Sequence, residues 1–382
     1  MTAWRGGNRR WLRLYTPSPP GYIPRLAGGG SPPLIEASAA VRIAAMSPTH
    51  PLSAERLDTI LQQAEHVRVA VVGDLMLDVY LSGTVSRISP EAPVPVVHVQ
   101  EERSALGGAA NVVANVVRLG AHCDVLGVVG RDAGARAIRE ALAVLGSGVV
   151  RPLLVEYAER PTTTKTRVMA RKQQVVRFDR EAEEDLPPEA AHELCELVRD
   201  SARAADVIVL EDYNKGVLTP AVIRAAMEAA RERGIPVVVD PKFRHIFEYR
   251  GATVFKPNAF ELTSALGVPI RPHDDAWLED ARQRFGCEHL LVTLGEEGMA
   301  LQSAGSATFR IPTVAREVYD VSGAGDTVTA CVAVAIAAGA SIQEAAVMAN
   351  VAAGIEVGKP GVATVSPEEL REEVRELIES LS

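Results

Sequence analysis

Asp320-Val321-Ser322-Gly323-Ala324-Gly325-Asp326-Thr327 runs without a break into the apolar stretch 328–338, which is built mainly of Ala and Val. Small residues let a backbone approach a ligand closely. The helix predicted to follow presents unpaired N–H groups at the positive end of its dipole. Such a turn stabilises an anion, including the charge on a phosphoryl group in transfer. Asp326 stands in the same turn, where it can take the proton of an attacking hydroxyl. An aspartate capping a helix after a glycine turn explains these residues equally well, and the turn alone does not choose.

Working outward, short β-branched runs alternate with helical stretches. Residues 67–72 close on Gly73-Asp74, and 123–129 close on Gly130. Residues 207–210 lead into Glu211-Asp212-Tyr213, 236–239 into Asp240-Pro241-Lys242, and 290–293 into Leu294-Gly295. Helices are expected over 111–119 and 220–233. This alternation predicts an α/β fold, a parallel sheet covered by helices on both faces. Ligands of such sheets bind beyond the carboxyl ends of the strands. Asp74, Asp78, Asp212, Asp240 and Thr293 fall there, and although strand-end Asp is an ordinary turn former, several together point to a site. Residues 79–101 and 162–179 instead alternate polar and apolar side chains. They read as exposed antiparallel strands, a small separate sheet fit to serve as a lid.

Composition narrows the function. The chain of 382 residues is 47% hydrophobic but only 4% aromatic, so its core is expected to be Ala, Val, Leu and Ile. A formal net charge of −9 argues against nucleic acid as a partner. Cys123, Cys195, Cys287 and Cys331 are dispersed and read as buried thiols in a reducing, cytoplasmic setting. No apolar run approaches the ~20 residues of a membrane span. Residues 1–45 carry Arg5, Arg9, Arg10, Arg13 and Arg25, no acid before Glu36, and clustered Gly and Pro. They read as a disordered extension ahead of a domain over 46–382, with a transit peptide or a true start at Met46 as alternatives. There is no G-x-x-x-x-G-K-[ST] and no H-E-x-x-H. No G-x-G-x-x-G follows the first strand, which argues against a dinucleotide-dependent oxidoreductase. A non-catalytic sugar sensor would have no use for Asp326.

Gly107-Gly108-Ala109-Ala110-Asn111 opens a helix after the first lid segment. Together with Gly323 to Asp326 it resembles the two signatures of the ribokinase-like (phosphofructokinase B) sugar kinases, over roughly 66–370. Within that family, Gly73-Asp74-Leu75-Met76-Leu77-Asp78 and the string from Ser86 to Val96 are similar to the kinases of D-glycero-β-D-manno-heptose 7-phosphate. So are Thr164 to Arg167, Asp212 to Gly216 and Ala363 to Leu370. Val79 departs from the charged residue common there.

The resemblance implies a three-layer α/β/α sandwich with a mostly parallel central sheet and a small β-sheet lid. It implies phosphorylation of the C1 hydroxyl by ATP, another sugar or sugar-phosphate kinase of the family being the alternative. Asp326 becomes the base, with Gly323, Ala324 and Gly325 as the anion hole. Asn258 and Glu261 match an N-x-x-E element that organises ATP phosphates and, indirectly through Glu261, Mg²⁺. Thr293, Gly295 and Gly298 would lie near the nucleotide, and Asn350 near adenine. Asp78, Gly107, Gly108 and Asn111 would hold sugar hydroxyls. A K⁺-like monovalent cation near 358–361, a homodimer paired through the lids, and a separate adenylyltransferase (no H-x-G-H occurs here) complete the implied picture. A sugar already phosphorylated at C7 brings a dianion that needs fixed cations. Among Lys165, Arg167, Arg171, Arg177 and Lys215, the reading favours Lys165 and Lys215.

Overall fold

Val, Ile, Leu and Ala fill a central sheet that both helical layers bury. The computed structural model describes residues 52–171, 173–315 and 318–381, so the expectation for 1–45 lies outside the described residues. In chain order, β1 (Arg68–Gly73), β2 (Leu75–Ile88) and β3 (Pro95–Gly108) lead to α2 (Ala109–Arg118), after an initial α1 (Ala54–Ala64). Next come β4 (His122–Val129), α3 (Ala133–Leu145), β5 (Val150–Glu156), β6 (Thr163–Ala170) and β7 (Gln173–Arg180). The chain continues through α4 (Pro188–Ala202), β8 (Val207–Glu211), α5 (Pro220–Arg233), β9 (Val237–Asp240) and β10 (Val254–Phe255). Then follow α6 (Ala259–Leu266), α7 (Asp275–Phe285), β11 (His289–Thr293), β12 (Met299–Ser303) and β13 (Phe309–Ile311). Three helices close the chain: α8 (Ala324–Ala337), α9 (Ile342–Val357) and α10 (Pro367–Leu381).

The large sheet has the order β13-β12-β11-β10-β9-β8-β1-β4-β5. Its pairs are parallel from β5 through β11, and antiparallel where β12 and β13 extend one edge. Strand alternation divides the core between two layers. Val69 and Val71 of β1 pack with α2, α8 and α9, while Ala70 and Val72 pack with α4 and α5. Helix α8 is buried nearly all round, from Asp326 to Ala335, which explains why its sequence lacks a polar face.

The lid is a four-stranded sheet of order β3-β2-β6-β7. Here the sequence reading needs correction. The β2/β3 and β6/β7 pairs are antiparallel, but β2 and β6 run parallel, because β6 enters the lid from the body through a separate crossover. Asp78 also lies inside β2, not in a loop at a strand end. All four cysteines are buried thiols. Among the described residues no helix is long and apolar enough to cross a membrane.

Candidate active site

The carboxyl ends of β8 and β9 and the start of α8 converge. Gly323, at φ +98°, turns the chain into α8 in a conformation that suits glycine, and no side chain caps that end. The first-turn N–H groups therefore face outward from the helix without intrahelical partners. A Cβ on Gly323 would sit 2.9 Å from Asn111 Nδ2, so the turn and α2 have no room between them.

Asp326 is buried in the first turn of α8. Asn111 Nδ2 donates to its Oδ2 at 2.7 Å, and the Tyr213 hydroxyl donates to its Oδ1 at 2.6 Å. Burial pushes Asp326 up to about 6, against those two bonds, which favour the charged form. Candidate cation ligands of Glu211, Asp240 and Asp326 lie within 4.8 Å of one another, all buried. Lys256 Nζ, also buried, pairs with Asp240 Oδ2 at 2.8 Å. Among the described residues both carboxylate oxygens of Glu211 lack a hydrogen-bond partner, and burial, then the neighbouring Asp240, pushes its pKa well up. Such a carboxyl either holds a proton or awaits a cation.

Beside this cluster, Asn258 caps α6. Its side chain accepts from Glu261 N at 2.9 Å, and Glu261 Oε2 accepts from Asn258 N at 2.9 Å. The N-x-x-E spacing thus doubles as a capping box. Glu261 also pairs with Lys242. Asn258 bridges in parallel to Thr293 at the end of β11, which brings the two together at the carboxyl end of the sheet. Gly295 starts the turn that follows, and Gly298 ends it with φ +86°. Asn350 Nδ2 donates to the Pro312 carbonyl at 2.9 Å, so its amide nitrogen is engaged with the chain after β13.

On the lid side, Asp78 pairs with Arg167, whose guanidinium lies 5.3 Å from the Tyr80 ring centroid. A Cβ on Gly107 would collide with Asp78 Oδ2, and Gly108 turns the chain into α2 at φ +57°. Asp74 is a staple: its carboxylate accepts from the amides of Tyr213 (2.7 Å), Lys215 (3.0 Å) and Val217 (3.2 Å). Asp212 accepts from Asn214 N and the Tyr249 hydroxyl, each at 2.7 Å. For Asp74 and Asp212 the turn-building role is the one observed.

Lys165 and Lys215 do come together, on one carboxylate. Glu181 Oε2 lies 3.1 Å from Lys165 Nζ and Oε1 lies 2.9 Å from Lys215 Nζ. Asp179 adds a contact to Lys165 at 3.3 Å, and Glu183 one to Lys215 at 3.0 Å. Arg177 pairs with Asp179 at 3.0 Å, and Arg171 sits in the β6–β7 turn at φ +57°. Tyr213, Glu211, Lys256 and Glu181 were not singled out from the sequence. Glu211 and Lys256 carried a usable signal, since each is a charged residue at the end of an otherwise apolar buried strand.

This constellation of an uncapped glycine turn, a buried aspartate and a lid agrees with the comparisons. The family model described as pfkB family carbohydrate kinase matches residues 67–369. The chain belongs to that family. Bifunctional protein HldE of Pelobacter propionicus is 48% identical over 318 residues, covering 82% of this chain and 64% of the relative. Bifunctional protein HldE of Citrifermentans bemidjiense is 46% identical over 321 residues, 83% of this chain and 65% of the relative. The chain thus spans 64–65% of the length of these relatives, less than two thirds. Among solved structures, Arabidopsis thaliana ribokinase complexed with ribose and ATP aligns with a TM-score of 0.61 at 23% identity, covering 82% of this chain and 98% of that one. Escherichia coli phosphofructokinase-2 in complex with potassium aligns at 0.67 and 18%, covering 82% and 99%. The fold of this pfkB-family kinase is therefore ribokinase-like.

Proposed function

We propose that the protein transfers the γ-phosphoryl group of ATP to the C1 hydroxyl of D-glycero-β-D-manno-heptose 7-phosphate, giving the 1,7-bisphosphate. The observation that carries the kinase chemistry is Asp326, buried beside an uncapped helix start and held by Asn111 and Tyr213. The sugar hydroxyl oxygen forms a bond to the γ-phosphorus, and the bond from that phosphorus to the β–γ bridging oxygen breaks. The hydroxyl proton passes to Asp326, and ADP leaves with the bridging electron pair. Amides of Gly323, Ala324 and Gly325 stabilise the charge in transit. The choice of sugar rests on the lid string from Ser86 to Val96 and on the 45–48% identity to HldE proteins.

Asp78, Gly107, Gly108 and Asn111 are assigned to the sugar, and Lys165 and Lys215 to its phosphate. Asn258, Glu261, Thr293, Gly295, Gly298 and Asn350 are assigned to the nucleotide. Mg²⁺ supplies charge neutralisation on the ATP phosphates. Glu211, with both buried oxygens unpartnered, and Asp240 fit an oxygen-ligated cation, and Glu261 serves it indirectly. A monovalent cation is assigned near residues 358–361, in keeping with the potassium of the phosphofructokinase-2 complex, which does not itself fix the position. A cytoplasmic homodimer, working beside an adenylyltransferase, completes the reading.

One observation favours the alternative of a sugar without a distal phosphate: both assigned lysines are already paired with carboxylates. Incubation with MgATP and heptose 7-phosphate, read by mass and ³¹P NMR, is expected to yield a 1,7-bisphosphate. Asp326→Asn should bind ATP and lose at least 1,000-fold in turnover, on the order of what a positioned base contributes. Turnover of ribose or fructose 6-phosphate with none of the heptose phosphate would defeat the substrate assignment, and near-normal Asp326→Asn activity would defeat the base.

A further inference from the structure

We infer that the Glu181 carboxylate is a built-in occupant of the site for the substrate's distal phosphate, and that it must turn aside for binding, so that it selects a dianionic sugar. The inference rests on the phosphate assignment made to Lys165 and Lys215.

The geometry is that of a bridging anion. One carboxylate gives an oxygen to each ammonium, at 3.1 Å for Lys165 and 2.9 Å for Lys215. A phosphate held by the same two lysines would present its oxygens in the same way. The lysines come from different parts of the fold, Lys165 from lid strand β6 and Lys215 from the loop after β8. Both border the sugar side of the centre: Lys165 is the register partner of Asp78, and Lys215 follows Tyr213, which hydrogen-bonds Asp326, by two residues.

The backbone beneath Glu181 is anchored, so only its side chain is placed to move. Arg160 donates to the carbonyls of Glu184 (2.9 Å) and Ala182 (3.0 Å), and Arg244 donates to the carbonyl of Glu183. Leu186 N bonds to Gly216 O at 3.0 Å, and a Cβ on Gly216 would strike the Glu184 carbonyl. Lys215 is fixed at its own amide by Asp74. The Glu181 side chain is 21% exposed, which leaves it a route to water.

Charge then decides which ligand enters. Lys165 and Lys215 face Glu181, Asp179 and Glu183, and Arg177 also meets Asp179. Around the two ammonium groups three cations thus meet three carboxylates, so an incoming anion must compete with Glu181 for Lys165 and Lys215. A tethered carboxylate competes at high effective concentration. A hydroxyl or a single carboxylate gains too little to displace it. A phosphate dianion brings twice the charge and three acceptor oxygens, and it displaces Glu181 towards solvent.

The test uses Glu181→Gln and Glu181→Ala in the full chain, with inorganic phosphate as a probe independent of the sugar. Removing the resident charge is expected to lower KM for heptose 7-phosphate about fivefold or more. The Kd of inorganic phosphate, measured by calorimetric titration, should fall by a similar factor while KM for MgATP holds within twofold. If both variants melt within a few degrees of the parent and neither KM nor the phosphate Kd falls, Glu181 is only a structural partner of the lysines and the inference is overturned. If the parent does not phosphorylate heptose 7-phosphate at all, the substrate reading fails. The phosphate titration still decides the role of Glu181 in that case, a lower Kd supporting it and an unchanged or higher one refuting it.

Discussion

Carboxylates withdrawn from water around the first turn of α8 meet that cost in different ways. Asp240 takes an ammonium, Lys256, and Asp326 takes two hydrogen bonds from Asn111 and Tyr213. Glu356, near the end of α9, is buried with no ammonium or side-chain donor on it among the described residues, and only the Ala363 amide offers it a weak bond. A Cβ on Gly323 would lie 3.3 Å from Glu356 Oε1, so this acid underlies the glycine turn. Burial pushes it up to about 8 from an ordinary 4.5. The sign follows from proton counting. Between pH 4.5 and 8 the folded chain holds a proton on Glu356 that the unfolded chain has released, so this group's contribution to stability falls as pH rises through that window. Glu356→Gln removes the penalty. Its Tm should exceed that of the parent by several degrees at pH 8, and the gap should close by pH 5, as read in thermal melts across that range. A gap independent of pH would mean that Glu356 is ionised in the fold.

At the level of elements, the β2–β3 half of the lid joins the body at two glycine points. Strand β1 ends at Gly73, and β2 begins two residues later at Leu75 and carries Asp78. Strand β3 returns antiparallel to it and ends in Gly107-Gly108, with Met76 opposite Gly107. The absent Cβ at Gly107 is the space that the Asp78 carboxyl occupies. Gly107→Ala should therefore push Asp78 off its pairing with Arg167. KM for the sugar is expected to rise at least tenfold while KM for MgATP changes little. Parallel rises in both would place the damage in the fold instead. Much of this layout was legible in the sequence. The β-branched runs, the two glycine turns and the lid segments all have strong local signals, because period and turn chemistry are local properties. The parallel β2/β6 pairing was not legible, since it depends on a partner 87 residues away, as in Asp78 and Lys165, and no residue pattern distinguishes it from a hairpin. The capping box at Asn258 and Glu261 is a local signal too, but the same N-x-x-E spacing also fits a nucleotide role, and sequence alone does not separate the two. The Glu181 bridge lay beyond reach, since it joins residues of β6, the loop after β8 and the segment after β7 that only the fold brings together.

At the scale of the whole molecule, the proposed homodimer has a physical motive in what the lid leaves uncovered. Strands β3 and β7 are the edges of its sheet, and neither edge is paired among the described residues. Ile88 is 61% exposed, Val94 52% and Phe178 55%, although large apolar side chains normally leave the surface. Val175 and Val176 are adjacent in β7 and both exposed, so neither face of that strand is covered. An unpaired edge beside exposed apolar side chains is a template for association, and identical copies satisfy it most simply through a two-fold contact. Such a contact would also bear on the sugar site, because Asp78 and Lys165 lie on the two inner strands of the same lid sheet. Sedimentation at micromolar concentration is expected to give a dimer for the parent. Ile88→Asp combined with Phe178→Asp should shift it to monomer and raise KM for the sugar more than KM for MgATP. A parent that sediments as a monomer at tens of micromolar would sink the lid-to-lid dimer, and a double variant that remains dimeric would move the contact elsewhere on the surface.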